Sequence, residues 1–192
     1  GLLSLLARNE SVMNDRSILT SAVGRIVNYA RHLQRPNTVK GSDRNIREHY
    51  DLSNEFFATF LDPTMTYSSA LFDSPDQTLE DAQHNKLPTI IDKAGITEED
   101  HVLEIGCGWG SFAIEAVRKT GCRVTGITIS REQLQLAQAR VRAAGLEDRV
   151  EIRLCDYRHI KGQFDKVVSI EMLEAVGHAG MGPFFKACHH AL

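Results

Sequence analysis

The residues most suited to chemistry lie in one short run, Glu104-Ile105-Gly106-Cys107-Gly108-Trp109-Gly110. An apolar strand-like segment ends in an acid, and glycines follow at alternate positions. Glycine has no Cβ and tolerates positive φ, so such a turn brings backbone close to a ligand. The pattern E-x-G-x-G-x-G is neither the G-x-G-x-x-G of dinucleotide sites nor a G-x-x-x-x-G-K-[ST] phosphate loop. Three further groups stand at strand-like ends. Thr128, Ser130 and Gln133 follow the second strand-like run. Thr128 and Gln133 can both donate and accept hydrogen bonds; on the residues alone, Ser130 is equally a helix N-cap and Gln133 a surface residue. Asp156 and Tyr157 follow the third; they are either a hydrogen-bonding and stacking pair for a flat heterocycle or a solvent-facing loop pair. Glu171 and Glu174 follow the fourth, three residues apart and so on one side of a helix-like segment. One of them could orient a base, the other being a surface or capping acid. His178 alone reads as a structural or exposed residue rather than a catalytic one.

The elements that must hold these groups alternate helix and strand from residue 77 onward. Residues 79–94 read as a helix with Thr78 as N-cap. Residues 100–104 read as strand, 111–120 as helix and 122–129 as a β-branched strand. Ser130 opens a helix running to residue 144, with Gly145 as its stop. Residues 150–154 and 164–170 are strands, and 183–192 begin another helix. Strands separated by helix-length segments imply a parallel sheet with right-handed crossovers, an α/β architecture. Such sheets bind ligands beyond the carboxyl ends of their strands, where all the groups above fall. Upstream, residues 4–34 carry apolar residues at helical spacing (Leu19, Val23, Ile26, Val27, Ala30, Leu33), and 36–44 read as a linker. Residues 50–61 crowd Leu52, Phe56, Phe57, Phe60 and Leu61 together, either as a helical cap over something apolar or as plain helix packing. The expected organisation is an arm and linker at 1–44, a cap at 45–76 and a ligand-binding α/β domain at 77–192.

Charge and cysteine usage narrow the class. The net charge is −3, yet residues 1–49 hold a local +4, which leaves −7 for the remainder. A basic arm suits an anionic lipid surface or a solvated helix face. Lys and Arg form no stripe, so nucleic-acid binding is not expected. Cys107, Cys122, Cys155 and Cys188 form no C-x-x-C, and no Cys/His grouping has zinc spacing, so no metal is expected. Buried free thiols fit a reducing, cytoplasmic location. Leu2, Leu3, Leu5 and Leu6 are too short an apolar run to span a bilayer, and no signal peptide is evident. The chain begins with Gly, and its four strands are fewer than a complete sheet of this kind holds, so it is expected to be an N-terminal piece, ending after the fourth strand.

The glycine run resembles motif I of the class I methyltransferases, Rossmann-like enzymes that bind S-adenosylmethionine (SAM). An acid at the strand end would suit SAM's sulfonium and amino group, and the loop would carry its amino-acid part. Most of these enzymes end the second strand with an acid that grips the ribose; here none stands there, leaving Thr128 and Gln133 for that task, while Asp156 and Tyr157 would serve the adenine. A narrower resemblance covers about residues 40–192. Asn45, His49-Tyr50-Asp51-Leu52, Asn54, Phe56-Phe57 and Phe60-Leu61-Asp62 resemble the cap signature of the cyclopropane-fatty-acyl-phospholipid synthases, a family that includes mycolic acid cyclopropane synthases. Met65-Thr66-Tyr67-Ser68-Ser69-Ala70 resembles their M-T-Y-S-C-A segment, and the glycine run, Gly126-Ile127-Thr128-Ile129-Ser130 with Glu132-Gln133, and residues 169–177 continue the match in order.

This resemblance implies methyl transfer from SAM to the cis double bond of a phospholipid acyl chain at a membrane surface, followed by proton loss and closure of a cyclopropane ring. A water-poor pocket protects the carbocation, and aromatic faces favour its charge. It implies that Tyr67, Ser68, Glu104, Gly106, Gly108, Gly110, Thr128, Gln133, Asp156 and Tyr157 bind SAM. Glu174 and Ser69 would be catalytic, serving a bound bicarbonate that takes the proton. Ser69 stands where the family has Cys, its hydroxyl or N–H still able to bond bicarbonate, and the family's bicarbonate-contacting His and Tyr would fall after residue 192. A homodimer is compatible with it. Relatives sharing the cap methylate amines or sphingolipids or add a methyl branch, and a non-catalytic SAM- or lipid-binding fragment is the reading from another class.

Overall fold

The structure, a computed structural model, describes residues 53–192. The expected helical arm at 4–34, the linker at 36–44 and the opening of the cap signature through Leu52 lie outside the described residues. Within them, four parallel strands form one sheet in the order β3-β2-β1-β4, where β1 is His101–Ile105, β2 Arg123–Thr128, β3 Val150–Leu154 and β4 Lys166–Val168. The α/β expectation holds, and the sheet is of the Rossmann-like kind. The helices are α1 (Asn54–Ala58), α2 (Leu79–Ala94), α3 (Ser111–Thr120), α4 (Arg131–Ala143), α5 (Leu173–Val176) and α6 (Met181–Ala191), with single 3₁₀ turns at Tyr157–His159 and His178–Gly180.

Successive strand side chains point to opposite faces, and this sheet is apolar on both. Val102, Val124, Val150 and Ile152 join Leu87 and Ile91 of α2, Phe112, Ala113, Ala116 and Val117 of α3, and Ala137 and Val141 of α4 in one core. Leu103, Ile105 and Ile127 turn the other way, onto Val176 of α5 and Phe184 and Ala191 of α6. A sheet buried on both faces is what β-branched runs without polar alternation produce. Gly126 permits the closest packing: a Cβ there would stand 2.9 Å from both Cys107 Cβ and Ile152 Cδ1.

Local signals fixed the helix ends. Thr78 accepts from the Asp81 N–H at 3.1 Å and Ser130 from the Gln133 N–H at 3.2 Å, satisfying donors that a helix start leaves open. Pro183 falls inside α6, whose start at Met181 is two residues earlier than expected; in a first turn the missing proline N–H costs nothing. Strand boundaries moved more. The fourth strand shrinks from 164–170 to three residues, because the Phe164 N–H bonds Ala191 O and the Ser169 hydroxyl donates to Ile105 O. Of the cap expected as helix over 50–61, residues 53–61 are described, and they hold the five-residue α1 followed by turns around Asp62.

Candidate functional site

The glycine run forms a tight turn between β1 and α3 at the carboxyl end of the sheet. Gly106 and Cys107 both donate their N–H to Ile127 O at 3.0 Å, and Gly110 donates to Cys107 O at 2.9 Å. Gly106, Gly108 and Gly110 have φ of +81°, +51° and +83°, a region costly for other residues. Their surroundings differ. A Cβ on Gly106 would press on Met172 Sδ at 3.1 Å and one on Gly110 would touch Ala137, whereas above Gly108 nothing lies within 4 Å. The open side of the loop is therefore at Gly108.

Glu104 lies beneath the loop and is only 3% exposed. It accepts from the Ala113 N–H in the first turn of α3, while its Oε2 has no partner. Burial pushes its carboxyl up to about 8, a rise the Ala113 bond only partly offsets. An uncompensated buried carboxylate and open space over Gly108 are the two features a cationic ligand lying on the loop would satisfy, so the residues present fit SAM.

The second strand ends in a connected polar cluster. The Thr128 hydroxyl donates to Gln133 Oε1 at 2.7 Å, and the Ser130 N–H donates to Thr128 Oγ1 at 3.1 Å. Ser130 is thus the N-cap, and Gln133 is buried, not on the surface. Asp156 caps the 3₁₀ turn and holds Arg158 by two side-chain bonds of 2.8 and 2.5 Å. Burial pushes its carboxyl up, but the hydrogen bonds and charge of Arg158 outweigh this and hold it below the usual value. Any adenine amino group would share that carboxylate with Arg158. The Tyr157 ring packs edge-on against Phe184, with centroids 5.3 Å apart.

The segment before α2 closes over this end of the sheet. Phe57 packs on Trp109 at 5.0 Å between centroids, the Trp109 indole N–H donates to Asn54 Oδ1 at 2.7 Å, and the Ser111 hydroxyl donates to Thr64 O. Arg140 clamps the loop from α4, donating to Trp109 O at 2.9 Å and Ser111 Oγ at 3.2 Å. Tyr67 lies against Phe57 and Phe60 and is 57% exposed as a residue. Behind it, Lys86 of α2 is 8% exposed and donates to Ser68 Oγ at 2.6 Å and Ser69 O at 2.7 Å, while Gln83 Nε2 donates to Ser68 O at 2.8 Å. Burial lowers the Lys86 ammonium's pKa, and the charges of Glu171 and Asp62 partly restore it.

Glu171 completes the arrangement. It accepts from the Ser69 N–H at 2.9 Å and from the Ser69 hydroxyl, both on Oε1, and its own backbone is left-handed at φ +48°. The two acids therefore do not share a helix side: Glu171 precedes α5 and reaches Ser69, while Glu174 lies exposed in the first turn of α5. The Ser69 donors that would serve bicarbonate are already given to Glu171, so the residues present do not fit bicarbonate there.

Lys86, Gln83 and Arg140 escaped the sequence reading, and Asp62 entered it only as part of the cap signature. A signal existed for Lys86: Ala82, Gln83, Lys86, Leu87 and Ile91 share the buried side of α2, and a lysine in that stripe asks for buried acceptors. Among the described residues, no group of three or more His, Cys, Asp or Glu is placed to hold a metal, and no helix is long and apolar enough to cross a membrane.

Known proteins resemble this chain in sequence and in fold. Residues 38–192 match the family described as mycolic acid cyclopropane synthetase. Over 151 residues the chain is 50% identical to tuberculostearic acid methyltransferase UfaA1 of Mycobacterium tuberculosis, covering 75% of this chain and 35% of that one. It is 37% identical over 159 residues to a sphingolipid C9-methyltransferase of Candida albicans, covering 78% and 31%. Among solved structures, mycolic acid cyclopropane synthase CmaA1 complexed with SAH and CTAB superposes with a TM-score of 0.75 at 35% identity, covering 82% of this chain and 54% of that one. The chain spans about a third of the length of these two curated relatives and about half of the solved chain.

Proposed function

Because this chain belongs to the mycolic acid cyclopropane synthetase family, we propose that it carries the cofactor-binding elements of a SAM-dependent methyltransferase acting on a carbon–carbon double bond of a lipid acyl chain. The observation that carries the proposal is the glycine loop with an unpaired carboxylate oxygen beneath it, together with the Ser68-Ser69 segment held by Lys86 and Glu171. Bound SAM would supply an electrophilic methyl group on a sulfonium. The loop backbone and Glu104 would hold its charged end, Thr128 and Gln133 its ribose, and Asp156 with Tyr157 its base. Phe57, Phe60 and Tyr67 would keep water from the reacting carbons and face the developing cation.

Two outcomes follow methyl addition: a cyclopropane ring, as the resemblance implies for phospholipid chains, or a branch. Ser69 in place of the family's cysteine, and relatives named for simple methyl transfer at 50% and 37% identity, favour the branch. The basic residues of 1–49 suit docking at an anionic membrane surface, where such acyl chains reside. Lipid extracts of cells expressing the gene product that contains this chain test the proposal. Unsaturated acyl chains should gain the mass of one CH₂, or of CH₄ where a branched product has also been reduced. Proton NMR should then separate ring methylene from exocyclic methylene or methyl. Acyl chains without any such gain would rule out the reading.

A further inference from the structure

Two donors of one residue, the Ser69 N–H and hydroxyl, converge on a single carboxylate oxygen of Glu171. The partners are 102 residues apart, so the fold as a whole creates the pair. Three observations mark it as a site. Glu171 adopts a left-handed backbone at φ +48°, which a non-glycine residue holds only where its surroundings impose it. Met172, the next residue, packs against Gly106, so the carboxylate is anchored beside the loop on which the methyl donor would lie. The buried Lys86 ammonium fixes Ser69 from behind through its carbonyl, and the charge of Glu171 in turn supports that ammonium.

We infer that Glu171 takes the place of the bicarbonate: a carboxylate built into the chain fills the anion position at Ser69 and accepts the proton released after methyl transfer. The inference rests on the methyl-transfer reading above. In that reaction the S–CH₃ bond breaks as a C–C bond forms to one alkene carbon, and the neighbouring carbon becomes positive. A C–H bond of the substrate then breaks. Its electron pair stays on the substrate as a third ring bond or a new double bond, and its proton passes to the Glu171 carboxylate. The sulfide leaves neutral, so charge and atoms balance without an external base. Ser69 is a positioning residue here, and Glu174 has no part in the step.

The test uses the purified gene product, with ¹³C-labelled bicarbonate as the probe. Glu171→Gly removes the carboxylate, and glycine suits the left-handed backbone, so the variant should fold and bind SAM within about twofold of wild type by calorimetry. ¹³C NMR should show no bicarbonate binding to wild type and saturable binding to Glu171→Gly. In CO₂-free buffer, wild-type methyl transfer should persist, while Glu171→Gln should lose roughly 100-fold or more, the usual worth of a general base. Added bicarbonate should restore Glu171→Gly at least in part and leave Glu171→Gln slow. Bicarbonate bound by wild type, or a wild-type rate that collapses without it, would overturn the inference. If wild type alkylates no lipid at all, the methyl-transfer reading falls, and the NMR arm still decides what occupies Ser69.

Discussion

Glu104 shows how one buried side chain couples the site to pH. Its carboxyl is raised from 4.5 to about 8, chiefly by burial. Between those values the folded chain keeps a proton that the unfolded chain has lost, so stability is full below about pH 4.5 and declines as pH rises toward 8. The decline amounts to at most about 5 kcal/mol. Glu104→Gln keeps an acceptor for the Ala113 N–H and removes the titration. Urea midpoints measured from pH 5 to 8 should therefore fall for wild type and stay nearly level for the variant once other groups are subtracted; parallel curves would contradict the assignment. Lys86 carries the opposite charge and the same lesson. Its ammonium is tolerated in the interior because two acceptors bond it and two carboxylates face it, not because lysine suits a helix's apolar side.

At the scale of elements, the β1-loop-α3 unit depends on close approach to β2. Gly126 pairs across from Glu104 and leaves no room for a methyl group between Cys107 and Ile152. Gly126→Ala should cost about 1–3 kcal/mol by overpacking, read as a lower urea midpoint with an unchanged slope; an unchanged midpoint would show that β2 can shift away. Helix caps were legible because they are local: Thr78 and Ser130 each bond an N–H three residues on. The fourth strand was legible in kind but not in length. An apolar run reads as strand throughout, whereas pairing requires a neighbour, and Val102, Leu103 and Glu104 are the only residues of β1 that β4 meets.

Across the described residues as a whole, the segment before α2 and the glycine loop are joined at Trp109, the chain's single tryptophan. That ring is 2% exposed, packed on Phe57 and bonded to Asn54. Its fluorescence should be blue-shifted in the folded chain. Phe57→Ala should shift it to the red, cost about 3 kcal/mol from the lost aromatic burial and weaken SAM binding measured by calorimetry. Emission and affinity that both stayed at wild-type values would mean that the cap does not shape the loop.

The sequence by itself determined the parallel α/β plan, the glycine turn and the N-caps of α2 and α4. Each depends on residues within a few positions of one another: strand runs and helix spacings, positive-φ glycines, side chains capping their own helix. The family, too, was legible, since its motifs are short and ordered along the chain. What only the tertiary structure decided was which groups meet. Gln133 proved buried beside Thr128, Asp156 committed to Arg158, and Glu171, not Glu174, took both donors of Ser69. Glu171 and Ser69 lie on segments brought together by the crossover topology of the sheet, and no local spacing records an encounter across 102 residues.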